Sequence, residues 1–187
     1  MANSDDNIIM RNLHGTLGDQ VVCKVLNGKS IMTNVPKKTK KGPVGGQEGV
    51  RDSFSVASAW GKHVMSDLEL KEFYKTRAQV GMNAYTTALR DSLNAPVVSA
   101  IDTLGYSGHP GNVILVTADE DLMVIKVNLV IADKYGVILE EGECTSDDSV
   151  NWHYVAKTEV QTTTGCIITA TAFDNPQNAG TMSVTLV

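Results

Sequence analysis

The chain has 187 residues, 42% hydrophobic, 20% charged and 5% aromatic, with a formal net charge of −5. This is enough apolar material for one or two small globular domains, and it excludes a disordered chain. Charge is unevenly spread: residues 1–95 hold 13 Lys and Arg against 9 Asp and Glu, whereas residues 96–187 hold 3 against 12.

In chain order, the segment from Ile8 to Val35 contains two apolar-rich runs, Gln20 to Leu26 and Lys29 to Val35, separated by Asn27-Gly28. Asn-Gly between such runs predicts a β-hairpin, because a type I′ turn needs positive φ at both central residues. A lone hairpin is marginal in water, so this one must lean on other elements or on another subunit. Next comes a loop bearing Lys37, Lys38, Lys40 and Lys41, closed by Pro36, Gly42 and Pro43. It reads either as a solvated linker or as an electrostatic contact for an acidic partner.

From Gln47 the period changes. Val50, Phe54, Ala57, Gly61 and Val64 recur at helical spacing, with Trp60 on the flank of the stripe. Ser66-Asp67-Leu68-Glu69 reads as a capping box that opens a second helix, from about Asp67 to Ser92, with the stripe Leu70, Phe73, Tyr74, Arg77 or Ala78, Met82, Tyr85 and Leu89. Pro96 disfavours helix for the residue before it and ends this half. After Pro96 the period is two. Seven runs read as strands: Val97 to Asp102, Asn112 to Ala118, Met123 to Ala132, Val137 to Cys144, Val150 to Thr158, Thr164 to Asp174 and Thr181 to Val187. The run from Val113 to Val116 reads as a strand buried on both sides.

The expected fold is therefore α+β in two domains. Residues 1–95 form a β-hairpin plus a two-helix hairpin, and residues 96–187 form a seven-stranded immunoglobulin-like β-sandwich. Residues Gly111 to Ala118, Asn151-Trp152-His153-Tyr154 and Ile168 to Pro176 carry a resemblance of roughly Ala95 to Val187 to bacterial immunoglobulin-like domains, which occur as repeats in surface and structural proteins. Gly15-Thr16-Leu17-Gly18, the hairpin, Pro36 and Gln47 to Ala59 resemble an uncharacterised bacterial protein family, which implies no chemistry.

Catalytic signatures are missing from the sequence. His14, His63, His109 and His153 form no HExxH or His-x-His pair, no GxSxG is present, and Gly15 to Gly18 lacks the Lys-Ser/Thr of a phosphate loop. Cys23, Cys144 and Cys166 have no CxxC spacing and read as small buried hydrophobes. The expectation is a protein that is not an enzyme, with no small-molecule substrate. In the sandwich the loops at Asp119 to Asp121, Ser146 to Asp148 and Asp174-Asn175 converge at one pole. Such a pole is either a solvated acidic surface, a contact for the lysine loop, or a calcium site with Asp119, Asp121 and Asp174 as ligands, since Ca²⁺ takes six to eight hard oxygens.

Met1 to Asp6 lack the basic and apolar regions of a Sec signal, and no apolar run nears the ~18 residues of a membrane span. The expected chain is made in the cytoplasm and then released or particle-associated. The leading functional expectation is a structural subunit whose partners are copies of itself, in a filament, tube or phage-related particle. Val22, Val25, Ile31, Phe54, Trp60, Phe73, Tyr74 and Tyr85 are its assembly interface, and the sandwich is displayed outside. The alternative is a binding module that recognises glycan or protein through the sandwich loops. The acidic second half argues against nucleic acid as a partner.

Overall fold

A computed structural model describes residues 13–26, 28–37, 45–146 and 148–187. They fall into two compact units, residues 1–49 and Val50–Val187. Among the described residues, no helix is long and apolar enough to cross a membrane.

In the first unit, β1 (Gly15–Leu17), β2 (Val21–Leu26) and β3 (Lys29–Asn34) form an antiparallel sheet in the order β1-β2-β3. The expected hairpin is β2-β3, closed in register at Leu26 opposite Lys29. Gly28 has φ 78°, the left-handed conformation that the turn demands. Asn27 lies outside the described residues, as do Lys38, Lys40 and Lys41. The third strand is a correction to the hairpin expectation: Gly18, at φ 57°, reverses the chain so that Leu17 pairs with Val21. Among the described residues of this unit only Cys23 is buried.

The helical segment is also corrected, from two helices to three: α1 (Gln47–Ser66), α2 (Leu68–Thr76) and α3 (Ala84–Leu93). Asp67, not Ser66, caps α2, its Oδ1 accepting from the amides of Glu69 and Leu70 at 2.9 and 3.0 Å. Ser66 Oγ instead donates to the His63 carbonyl at the end of α1. The long second helix breaks after Thr76, where Gly81 takes φ 87° and Asn83 with Thr86 builds a reciprocal capping box that starts α3 afresh. Val64, Tyr74, Ala84 and Ala88 form the core of the three helices, with Trp60, Leu70, Phe73 and Leu122 packed against it. Gly61 lets α3 approach α1, because a Cβ there would stand 2.8 Å from the Tyr85 ring.

The remaining strands are β4 (Val97–Asp102), β5 (Val113–Asp119), β6 (Lys126–Ala132), β7 (Ile138–Glu143), β8 (Thr145–Ser146), β9 (Asn151–Val155), β10 (Ile167–Phe173) and β11 (Ala179–Thr185). They make two four-stranded antiparallel sheets, ordered β4-β5-β9-β8 and β11-β10-β6-β7. This corrects the seven-stranded immunoglobulin-like sandwich: each of the seven expected runs holds a strand, but the count is eight and the sheets are four-stranded. The additional strand is the short pair Thr145–Ser146 on β9, too brief to show a period. β5 is also one-sided, with Ile114, Val116 and Ala118 buried while Val113 and Leu115 are exposed.

One core joins the two sheets: Val98, Ile114, Val116 and Trp152 from one, Val127, Leu129, Ile131, Ile168 and Ala170 from the other. Alternation of period two puts every second side chain of β6 and β10 into that core. The chain reaches it by laying down strand pairs alternately, β4-β5, β6-β7, β8-β9 and β10-β11, so the central pairings β5·β9 and β6·β10 are non-local.

Where α3 hands over to β4, Pro96 is fully buried and its carbonyl lies against Gly180 of β11, with no room for a Cβ. Gly180→Ala forces these backbones apart. We expect a cost of about 3 kcal/mol and a melting midpoint lower by roughly 5–10 °C, read by thermal denaturation. An unchanged midpoint would show that the two segments separate without penalty.

Candidate functional site

Helix α3 presents Ala84, Thr87, Ala88 and Asp91 on its buried side, at helical spacing. The last of these places a carboxyl group, 2% exposed, where the helix meets the sheets. Two further acids arrive from loops: Glu120, between β5 and β6, and Asp174, fully buried between β10 and β11. One carboxyl oxygen from each of Asp91, Glu120 and Asp174 lies within 4.8 Å of the others.

Hydrogen bonds hold each acid in place. The Tyr74 hydroxyl of α2 donates to Asp91 Oδ2 at 2.5 Å and accepts from Trp60 Nε1 of α1 at 3.3 Å. Asn178 donates its amide N–H to Asp174 Oδ1 at 2.6 Å and its side-chain Nδ2 to Asp174 Oδ2 at 2.8 Å. The same Nδ2 reaches the carbonyls of Asp91 and Asn94, at 3.3 and 3.1 Å, so one side chain ties the β10–β11 turn to the end of α3. Glu120 Oε2 accepts from the amides of Leu122 and Met123, both at 2.7 Å, while its Oε1 is buried and receives no hydrogen bond. Leu122 then packs on the helical core.

The electrostatics follow from burial. Desolvation pushes Asp91 up to about 7, against the hydrogen bond from Tyr74 and with help from the neighbouring Glu120 and Asp174. Desolvation raises Asp174 as well, opposed by Asn178. The Tyr74 hydroxyl is held well above its ordinary value by burial and by the adjacent Asp91, which keeps it a donor.

Asp174 therefore does not meet Asp119 and Asp121, its partners in the calcium expectation. Asp121 Oδ2 is taken by Arg90 Nη2 and Asn94 Nδ2, each at 2.9 Å, and Asp119 Oδ1 accepts from the Glu120 amide. Asp119, Glu120 and Asp121 line an open cleft of about 410 Å³ with Asn94, Ala95 and Val97. Asp148 stands apart, its carboxyl lowered to about 2 by bonds from Asn151, Val150 and Ser146. Asp91 and Asp174 are engaged by neutral donors, while Glu120 keeps one oxygen unbonded. Asp147 lies outside the described residues.

Of the expected assembly residues, Tyr74 is fully buried in the helical core, and Trp60 and Phe73 pack against it. Tyr85 covers Gly61 and bonds Ser58 at 3.0 Å. Val22 and Ile31 are half-buried, whereas Val25 and Phe54 are exposed. Lys37 is exposed. The sequence reading missed Asp91, Glu120, Tyr74's hydroxyl role and Asn178. An acid on the apolar stripe of α3 was the available signal for the first of these.

A second buried carboxylate sits in the double-sheet unit. Glu140, 7% exposed on β7, accepts from the Tyr154 hydroxyl and the Lys157 amide at 2.7 Å and from the Thr158 amide at 3.0 Å. Burial raises its pKa, but these three donors outweigh burial and leave it below the ordinary 4.5.

No family model matches the chain, and no curated protein matches it. Among solved structures it is similar to the crystal structure of an engineered protein, at 15% identity and a TM-score of 0.37. That likeness covers 57% of this chain and 29% of the other, and it carries no argument about function.

The Glu140 site yields a pH test with a definite sign. A depressed folded pKa contributes stability that is present above the unfolded value, near 4.5, and is lost as pH falls through the lower folded value. Glu140→Gln should cost about 1–3 kcal/mol at neutral pH in urea denaturation, with the gap to the parent closing on acidification. A gap that stays constant into acid would remove the charge from this account.

Proposed function

We propose that this protein is a structural subunit that assembles with copies of itself, through the β1–β3 sheet and the first turns of α1. The observation that carries the reading is apolar surface without cover. Leu17, Val25, Leu26 and Met32 on the sheet are 40–53% exposed, and Val50 and Phe54 on α1 are 70% and 51% exposed. Val50 and Phe54 continue the stripe that Ala57, Gly61 and Val64 bury further along the same helix. A three-stranded sheet needs one covered hydrophobic face for stability, and both β1 and β3 are edges.

Charge supports a head-to-tail mode. Residues 1–95 carry +4 and residues 96–187 carry −9, so the basic half of one copy attracts the acidic half of the next. A contact of that kind that does not close yields an open polymer. Lys37 belongs to the basic contact, together with Lys38, Lys40 and Lys41 beyond the described residues. Within the assembly contact the relevant side chains are Val25 and Phe54, joined by Leu26, Met32 and Val50. Trp60, Phe73, Tyr74 and Tyr85 serve their own chain's helical core instead. The double-sheet unit, which closes its own core, is left for display.

Light scattering and negative-stain imaging of the untagged chain should reveal regular particles far above the monomer mass. Val50→Ser combined with Phe54→Ser, both on exposed positions, should lower that mass at least tenfold while leaving the circular dichroism spectrum intact. A parent chain that is monomeric at micromolar concentration would overturn the proposal.

A further inference from the structure

We propose that the Asp91–Glu120–Asp174 cluster is a proton-held latch, in which one proton shared by Asp91 and Glu120 fastens α2 and α3 to the loop ends of both sheets. Loss of that proton loosens the fastening.

The geometry is that of a joint. Asp91 belongs to α3, Tyr74 to α2, Glu120 to the β5–β6 loop that crosses from one sheet to the other, and Asp174 and Asn178 to the β10–β11 turn of the second sheet. Three carboxyl oxygens meet within 4.8 Å, two of the residues being almost wholly out of water. The charged groups around them offer no relief. From α3, Arg90 is committed to Asp121. The end of β5 and the β5–β6 loop add only the further acids Asp119 and Asp121, α2 faces the cluster with the neutral Tyr74, and α1 reaches it through Trp60. Among the described residues no Lys, Arg or His forms a salt bridge with any of the three acids. Like charges so placed cannot all ionise.

The second observation is the orphaned oxygen. Glu120 Oε1 is buried and accepts nothing, while Oε2 takes two amides. A buried acceptor without a donor is costly, and a carboxylic acid at Asp91 supplies the missing O–H. Asp91 can give that hydrogen while its Oδ2 still receives the Tyr74 hydroxyl. A proton here satisfies an orphan acceptor and removes a repulsion in one step.

The sign of the effect is fixed by linkage. Asp91 holds its proton to a higher pH folded than unfolded, from about 7 against 3.8. Its contribution is fully present below the unfolded value and is lost as pH rises through the folded one. The latch therefore opens toward alkaline pH and closes toward acid, the opposite of Glu140.

The test uses the full chain carrying Trp152→Phe, which leaves Trp60 as the sole indole, hydrogen-bonded to Tyr74 beside the latch. Trp60 emission should shift to the red with a midpoint near neutrality as pH is raised in chelator. An infrared band of a protonated carboxyl should disappear over the same range. Asp91→Asn keeps a donor without needing a proton and should abolish both transitions. If that variant does not fold, Glu120→Gln removes a neighbouring charge that helps Asp91 hold its proton and should move the midpoint downward by at least one pH unit. A flat response in the parent, or an unmoved midpoint in both variants, would overturn the latch. So would a rise in melting temperature with calcium alone that Asp91→Asn abolishes, because the cluster would then be a cation site.

Discussion

Burying like charges is the constraint on which this structure turns. Two carboxylates about 5 Å apart repel by about 3 kcal/mol at an effective dielectric near 20, and each also loses hydration. Against a typical stability of only about 5–15 kcal/mol, three such groups meeting at one joint demand compensation on the spot. Asp91, Glu120 and Asp174 obtain it from neutral donors, Tyr74 and Asn178 among them, and from main-chain amides at Leu122 and Met123. The donors are not decoration on the helix–sheet join. Through Asn178, whose Nδ2 also reaches the carbonyls of Asp91 and Asn94, they tie the β10–β11 turn to the end of α3.

Glu140 shows the other solution open to a buried acid. It has three donors, no acidic neighbour in its bonds, and remains ionised. The difference between the two sites is one of supply. On β7 three donors serve one carboxylate, whereas at the joint five donated bonds are spread over three acids, and burial beside like charges outweighs the single donor that reaches Asp91. Carboxyl groups are thus driven in opposite directions by their neighbours, Glu140 down and Asp91 up, and the two sites respond to pH with opposite sign.

The legible parts of the sequence are those in which one periodicity runs long enough to be seen. α1 and seven of the eight strands after Pro96 came from period alone, and the Asn27-Gly28 turn from chemistry that only a hairpin requires. The break between α2 and α3 was missed because the apolar stripe continues across it; the stop lies in Gly81 and in Asn83 with Thr86, local signals that a stripe overrides. The two-residue β8 has no period, and the seven-stranded expectation failed on it. The carboxyl cluster was half legible. Asp174 was chosen for its place at a strand end, but its partners come from a helix and from the next residue along in Asp119-Glu120-Asp121. Which of three adjacent acids turns inward is decided by the amides of Leu122 and Met123, and composition does not show that.

The two units solve the problem of burial differently, and this bears on the proposed assembly. The double-sheet unit closes a contiguous core contributed by both of its sheets within one chain, even though Leu104, Leu115 and Ile138 stay exposed. In β1–β3 the register puts Leu17, Val25 and Met32 on one face with Cys23, and Leu26 on the other with Val22 and Ile31, so apolar residues fall on both faces. A sheet with one apolar face asks for a single cover, but apolar residues on both faces ask to be an inner layer. On the proposed reading that layer is completed by neighbouring copies, whose matching sheets carry the same two apolar faces.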